Sequence, residues 1–256
     1  MNFLCPRSNN LKLSDFRNKH QGEIAFILGA GPSLRHLDVD LIKDHVTVSI
    51  NSGIAKYIKS DYFVSDDFEI TNWSYFSDYL SNAPKANSNI EKSKCVKFLY
   101  DKKFEHKCSN IDNHVLYPHT WFYSPEDNTY NLPGLKLNTE GPIVGAKNSS
   151  GSAVHIAYLM GCNPIVLLGN DCMLDRDTGF RYYFQFPGEK KQFKFLGRSF
   201  ESNPNKGFNE KSFKEYWNYF AQVNKETDVN IIDASDSSLD CFPKMTVEEV
   251  LKKYKS

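Results

Sequence analysis

Six short apolar runs, each bounded by turn-forming residues, constrain the fold of this chain more than any other feature. They are four or five residues long and rich in β-branched and aromatic residues, a pattern typical of strands that are buried on both faces. Helical patterns separate several of the runs, and this alternation predicts an α/β fold, a mostly parallel sheet with helices on both faces. The runs span residues 24–28, 46–50, 62–65, 96–100, 164–168 and 229–232.

Two of the helical patterns carry their own end signals. In residues 149–161 apolar side chains recur at helical spacing, and either Ser149 or Ser150 is predicted to cap the helix that Gly161 closes. Near the end of the chain, Thr246 and Glu249 form a capping box, which predicts a last helix starting there.

Size and charge limit the class of protein. A chain of 256 residues that is 40% hydrophobic fits one main domain, and the weakly periodic segments 81–139 and 175–207 are predicted to be insertions over a sheet edge. The 31 Lys and Arg residues balance 31 Asp and Glu residues, which argues against nucleic acid as a partner. Scattered cysteines, and no apolar stretch of the roughly 18 residues that span a bilayer, predict a cytoplasmic protein without an integral membrane segment.

The first apolar run leads directly into a glycine-rich turn, here called the glycine loop. It consists of Gly29, Ala30, Gly31, Pro32 and Ser33. Glycines allow a sharp turn and close approach to a ligand, and the following residues suit a first helical turn whose N–H groups attract phosphate. A dinucleotide site would have a third glycine at Leu34 and an acidic residue at Asn51. The loop therefore predicts a mononucleotide site, with a purely structural turn as the alternative.

Two carboxylates follow the third run. Asp66 and Asp67 lie where a parallel strand ends, at the edge of the sheet that binds ligands. Such a pair could hold a divalent ion that bridges phosphates, or supply a base. A solvated turn or a helix cap is the structural alternative.

A second candidate site surrounds the helix at residues 149–161. Ser150 and Gly151 open this helix beside Lys147, an arrangement suited to an anion such as a phosphate. Asp171 follows the next strand and is a candidate base or ribose contact, whereas His155 on the helix is expected to be a core residue.

Cations and aromatic residues alternate in the second predicted insertion. Arg181, Tyr182 and Tyr183 begin this pattern, which suits a lid that stacks on a sugar phosphate and hydrogen-bonds to it. A groove for single-stranded nucleic acid and a structural hairpin are the alternatives, and the neutral overall charge disfavours the first of them.

Four motifs follow one another along the chain. They are "ILGAGPSL", "SDYFVSDD", "SSGSAVHIAYLMG" with "PIVLLGNDC", and "IIDASDSSLDCFPKMTVEEVL". In this order they resemble the motifs of the motility-accessory-factor group, which includes the archaeal hydroxymethylpterin diphosphokinases and is related in fold to the small bacterial sialyltransferases. The resemblance implies a single Rossmann-like nucleotide-binding domain over residues 1–256, with the insertions forming a lid region.

For the glycosyltransferase branch, the resemblance implies transfer of a nonulosonic acid, such as sialic or pseudaminic acid, from a CMP-linked donor to a glycan or protein. The glycine loop and Asn51 would hold the nucleotide, and no tightly bound cofactor is implied. Ser150 and Gly151 would flank the donor phosphate or carboxylate. Tyr182 and Tyr183 would assist departure of the phosphate.

The chain also departs from the sialyltransferases. They have Asn at the position of Ala30 and use a histidine base, whereas no histidine follows His155 here, so the base would be Asp67 or Asp171. In the diphosphokinase branch, Asp66 and Asp67 would bind Mg²⁺ and ATP. We expect a sialyltransferase-like glycosyltransferase, with a magnesium-dependent diphosphokinase and a non-catalytic nucleotide-binding module as alternatives. The sequence leaves the oligomeric state open.

Overall fold

The computed structural model describes part of the chain, and every structural statement below refers to that part. The described residues are 11–51, 59–66, 95–101, 113–121, 123–124, 129–130, 142–145, 148–173, 194–195, 198–199, single positions between 214 and 225, and 227–254.

Seven parallel strands form the central sheet. Their order is β13-β10-β1-β2-β3-β4-β5, and every neighbouring pair is parallel. Their bounds are β1 Ala25–Leu28, β2 Val46–Ile50, β3 Tyr62–Ser65, β4 Val96–Tyr100, β5 His114–Tyr117, β10 Ile165–Leu168 and β13 Ile231–Asp233.

The remaining elements are short. Three two-stranded pairs are β6 His119–Trp121 with β9 Ile143–Gly145, β7 Tyr123–Ser124 with β8 Thr129–Tyr130, and β11 Lys194–Phe195 with β12 Arg198–Ser199. The α-helices are α1 Ser149–Leu159 and α2 Val247–Lys253, and the 3-10 helices are Leu13–Phe16, Pro32–His36 and Val39–Leu41. No helix within the described ranges is long and apolar enough to cross a membrane.

Both faces of the sheet are covered, which explains why its strands are continuous apolar runs. Ala25 and Ile27 of β1 pack in a core cluster that includes residues of α1. Phe26 and Leu28, which point to the opposite face, pack in a second cluster with α2. This arrangement confirms the predicted Rossmann-like α/β fold.

The strand order defines where a ligand would bind. Strands β2 to β5 follow β1 on one side, whereas β10 and β13 lie on the other. The connections therefore diverge between β1 and β10, and in open α/β sheets ligands bind at the carboxyl ends of the strands at such a switch point. The end of β1 is the glycine loop, and the end of β10 is the turn 169–171.

Several expectations about local structure can be compared with the observed elements. The runs 46–50, 62–65 and 96–100 form strands with those bounds, and Thr246 and Glu249 form the predicted capping box. The prediction for the cap of α1 was wrong, because the side chain of Asn148, rather than that of a serine, accepts the hydrogen bond from the Gly151 N–H.

The segment 81–139 contains part of the sheet. Both β4 and β5 lie within it, where β4 pairs with β3 and β5 pairs with β4, so these two strands belong to the sheet rather than to an insertion. Of the segment 175–207, the structure describes only β11 and β12. The extent of both insertions remains a proposal.

Candidate active site

The glycine loop and the turn 169–171 pack tightly against each other at the switch point. The Gly31 N–H donates a hydrogen bond of 2.7 Å to the Gly169 carbonyl oxygen. A Cβ atom at Gly31 would lie 2.6 Å from Asp171 Cγ and 2.7 Å from the Gly169 oxygen. The absence of a side chain at Gly31 therefore serves the contact between these two turns, whereas the sequence had suggested that it serves close approach of a ligand.

Asp171 caps the 3-10 helix that follows the glycine loop. The Ser33 N–H donates to Asp171 Oδ2 at 2.7 Å, and the Ser33 hydroxyl donates to Asp171 Oδ1. The Ser33 N–H and hydroxyl, which the sequence predicts as donors for a phosphate, therefore donate to a carboxylate of the protein itself. A phosphate could bind to Ser33 only by displacing Asp171.

The environment of Asp171 also changes its acidity. Burial raises the pKa of Asp171 to about 6, although the hydrogen bonds from Ser33 oppose this shift. Asp233 and Asp236 add smaller shifts in the same direction as burial. A carboxyl group with a pKa near 6 can exchange a proton close to neutral pH, as a general base must.

Asp66 joins the end of β3 to β5 and α1. Its two carboxylate oxygens accept hydrogen bonds from the Tyr117 hydroxyl and, at 2.8 Å, from the Ser152 hydroxyl. The Asp66 N–H donates to Ser149 Oγ at 3.0 Å. Burial, followed by the proximity of Asp66, raises the pKa of Tyr117 well above its usual value, so that Tyr117 remains a protonated donor.

The burial and the hydrogen bonds of Asp66 argue against this residue as a magnesium ligand. The residue is only 5% exposed, and both of its oxygens already accept a hydroxyl hydrogen, so it fits poorly as a ligand for a hydrated ion that also bridges phosphates. Within the described ranges, no group of three or more His, Cys, Asp or Glu side chains could hold a metal ion.

The first turn of α1 reaches the same edge of the sheet. The Ser150 hydroxyl donates to Asn170 Oδ1 at 2.6 Å, which joins α1 to the turn after β10. The Gly151 N–H is occupied by Asn148 Oδ1 at 2.9 Å, so it does not offer a donor to an anion in this conformation. His155 is a core residue as expected, because its Nδ1 accepts the Val144 N–H at 2.7 Å inside the fold.

Asn51 ends β2 beside the glycine loop and carries an unused acceptor. Its backbone has φ 48°, a left-handed conformation that Asn tolerates better than most residues. The buried Oδ1 atom has no hydrogen-bond partner among the described residues. Because buried polar atoms are normally paired, this acceptor is an exception among the buried groups of the described residues.

Five candidate residues lie outside the described part of the chain and stay predictions. They are Asp67, Lys147, Arg181, Tyr182 and Tyr183. Sequence reasoning also missed the roles of Tyr117 and Asn170. Tyr117 lies in a strand that was not predicted, and Asn170 stood in the motif "GND" without any signal that its amide would contact several segments.

A groove of about 610 Å³ borders the glycine loop at Ser33 and extends to the start of α2. Apolar side chains and carboxylates line it, among them Leu34, Leu168, Val247, Asp38, Asp236 and Glu248.

The parallel sheet and its switch point between β1 and β10 define a Rossmann-like α/β protein. Within that class, the chain belongs to the MptE-like family, because a family model described as "6-hydroxymethylpterin diphosphokinase MptE-like" matches residues 2–177. No curated protein sequence matches the chain.

Solved structures superpose on this chain at low sequence identity. The MAf glycosyltransferase from Magnetospirillum magneticum AMB-1 superposes with a TM-score of 0.51 and 14% identity, over 92% of this chain and 37% of that protein. This chain therefore spans well under half the length of that glycosyltransferase. The sialyltransferase CstII from Campylobacter jejuni, in complex with the substrate analogue CMP-3FNeuAc, gives a TM-score of 0.46 and 13% identity, over 88% of this chain and 86% of CstII.

Proposed function

We propose that this chain is a glycosyltransferase that takes a sugar, such as a nonulosonic acid, from a CMP-linked donor and passes it to a glycan or protein acceptor. The nucleotide of the donor would lie over the carboxyl ends of β1 and β10, against the surface that the packed glycine loop and turn 169–171 form together. The shared fold with the MAf glycosyltransferase along most of this chain is consistent with this proposal.

One observation favours sugar transfer over phosphoryl transfer. Both carboxylate oxygens of Asp66 accept hydrogen bonds, from Tyr117 and Ser152, so Asp66 would have to share or give up these contacts to bind the magnesium ion of the proposed pair. Transfer of a sugar from a CMP-linked donor needs a nucleoside site and a base rather than that pair. Asn51, whose Oδ1 has no partner among the described residues, would supply an acceptor for the nucleoside. Asp171, with a pKa of about 6, would act as the base after it gives up a hydrogen bond from Ser33.

The remaining roles rest on residues beyond the described part of the chain. Because Asp171 occupies Ser33, the donor phosphate would need other partners, and Lys147 and Arg181 are the candidates. Tyr182 and Tyr183 would protonate or orient the departing phosphate, and Asp67 is a second candidate base. The acceptor would approach through the groove beside Ser33.

The family model supports a second candidate, a magnesium- and ATP-dependent diphosphokinase of the hydroxymethylpterin type. In that case Asp66 and Asp67 would hold Mg²⁺, which would neutralise the phosphate charge, while the chain positions the two substrates. Binding of Mg²⁺ would require Asp66 to give up at least part of its contact with Tyr117 or Ser152.

A thermal-shift panel separates the two candidates. A ligand that binds only the folded state at about 100 times its Kd stabilises it by about 2.7 kcal/mol. We expect CMP to raise the unfolding temperature without Mg²⁺. Stabilisation by ATP with Mg²⁺, and by no cytidine nucleotide, would overturn sugar transfer in favour of the diphosphokinase.

A matched pair of variants tests whether the nucleotide contacts Asn51. Asn51→Gly keeps the left-handed backbone and removes only the amide, so we expect CMP binding to weaken about tenfold, the effect of one hydrogen bond. Asn18→Gly is the control, because Asn18 has nearly the same backbone conformation, with φ 51° against 48°, and lies next to the carboxyl end of α1. Equal affinities in the two variants would remove Asn51 from the site.

A further inference from the structure

Asn170 contacts four separate segments at the switch point. It follows Gly169, whose φ of 62° turns the chain after β10, and it is 7% exposed. Its Nδ2 donates to the Leu168 carbonyl at 3.1 Å and to the Ile27 carbonyl at 3.4 Å, and its N–H donates to Ser235 Oγ at 3.0 Å. The amide thus spans β1 and β10 exactly where their pairing ends, and the backbone N–H ties in the segment after β13.

These contacts fix the orientation of the amide group. Both neighbours of Nδ2 are carbonyl oxygens, which can only accept, so the reverse orientation would place Oδ1 against two acceptors. Oδ1 must therefore face Ser150, whose hydroxyl lies 2.6 Å away. Ser150 in turn must donate its single proton to Asn170, which leaves only lone pairs on its oxygen for any other partner.

We infer that Asn170 is a positioning residue that turns the partly exposed Ser150 hydroxyl into a hydrogen-bond acceptor for a hydroxyl group of the bound nucleotide-linked donor. The inference rests on the proposed function for the identity of the ligand. It differs from the expectation that Ser150 flanks a phosphate or carboxylate. An anion needs a hydrogen-bond donor, and the Ser150 hydroxyl already donates its proton to Asn170.

Two other groups at this edge of the sheet can likewise accept a hydrogen bond from a ligand but cannot donate one. The Ser33 hydroxyl donates to Asp171, so its remaining lone pairs also can only accept. The buried Asn51 Oδ1 is an acceptor without a partner among the described residues. A set of acceptors of this kind suits the hydroxyl groups of a ribose or of the transferred sugar, because each hydroxyl brings a proton to donate.

A double-mutant cycle with Ser150→Ala and Asn170→Ala tests this inference, with a CMP-linked sialic acid as the probe because it carries both the ribose and the transferred sugar. Isothermal titration should show that each single variant weakens its binding about tenfold, and that the double variant is no weaker than either single one. Urea unfolding provides the contrasting readout. Asn170→Ala should lower the unfolding free energy even in the Ser150→Ala background, because its contacts to the Ile27 and Leu168 carbonyls do not involve that serine.

The outcomes separate the possible roles of Ser150. If Ser150 contacts an anion, Asn170→Ala frees its proton and should leave binding unchanged or strengthen it, which would overturn the inference. If the losses of binding affinity in the two single variants add up in the double variant, the inference would also be overturned, and Asn170 would be a purely structural residue. Absence of CMP binding to the wild-type chain would refute the proposed function and the inference together, whereas the other outcomes leave the proposed function standing.

Titrations with 2′-deoxy-CMP and a CMP-linked sialic acid identify the hydroxyl. If Ser150 accepts from the ribose 2′-hydroxyl, the wild type should prefer CMP to 2′-deoxy-CMP, and Ser150→Ala should lose that preference. If it accepts from the transferred sugar, Ser150→Ala should weaken binding of the CMP-linked sialic acid more than that of CMP. A loss of affinity for neither compound in Ser150→Ala would contradict both forms of the inference.

Discussion

Gly31→Ala tests the tight contact between the glycine loop and the turn 169–171. Gly31 has φ −68° and ψ 161°, a conformation that alanine adopts without strain, so its smaller unfolded-state entropy should by itself stabilise the chain by about 0.4–1 kcal/mol. The new Cβ would, however, lie 2.6 Å from Asp171 Cγ and 2.7 Å from the Gly169 oxygen. Separations of this kind normally reach about 3.5 Å or more, so the two turns would have to move apart by nearly 1 Å.

We expect the steric effect to outweigh the entropic one. Overpacking of a well-packed site costs about 1–3 kcal/mol, which leaves a net destabilisation of about 1–2 kcal/mol after the entropic gain. Urea unfolding followed by circular dichroism measures the change. The Asp171→Ala background is the control, because it removes the carboxyl group from the clash and leaves only the Gly169 contact. An unchanged or increased stability of Gly31→Ala, or an equal loss in both backgrounds, would refute this account of the glycine.

Three further substitutions test the fold and the site. The pKa of Asp171 is raised from 3.8 to about 6 in the folded state, so the folded chain binds this proton more tightly than the unfolded chain does. The unfolding free energy of the wild type should therefore fall by about 3 kcal/mol relative to that of Asp171→Asn as the pH rises from about 4 to above 6. A pH-independent difference between the two unfolding free energies would contradict this. Tyr117→Phe removes a donor from the buried Asp66 and should cost about 1–3 kcal/mol in urea unfolding, whereas wild-type stability would show that the contact is dispensable. Thr246→Ala should cost about 1 kcal/mol through loss of the capping box, and Thr246→Ser should restore most of it; equal stability of these two variants would argue against the cap.

The sequence predicts the sheet well where apolar runs are continuous. Strands β2, β3 and β4 are mostly buried on both faces, so their composition alone marks them. Strand β5 lies at the edge of the sheet and alternates between buried and half-buried residues. Its four residues are too few to show that alternation clearly, which explains why the segment was taken as part of an insertion.

The candidate site is harder to predict because its contacts join distant parts of the chain. The sequence places the glycine loop at the end of the first strand, yet the partner of Ser33 is Asp171, 138 residues later. Likewise the carboxylates of Asp66 and Asp171 are visible as candidate ligands or bases, but the hydroxyl groups that bind them are not. Local patterns predict which residues reach the edge of the sheet, whereas tertiary hydrogen bonds decide which of them a ligand can use.

A crystal structure of the chain with bound CMP would test the central claim most directly. We predict that the nucleotide lies over the carboxyl ends of β1 and β10, against the glycine loop, with a ribose hydroxyl about 3 Å from Asn51 Oδ1 and the contacts between Asp66, Tyr117 and Ser152 unchanged. CMP bound elsewhere, or binding of ATP with Mg²⁺ on Asp66 and of no cytidine nucleotide, would contradict the claim.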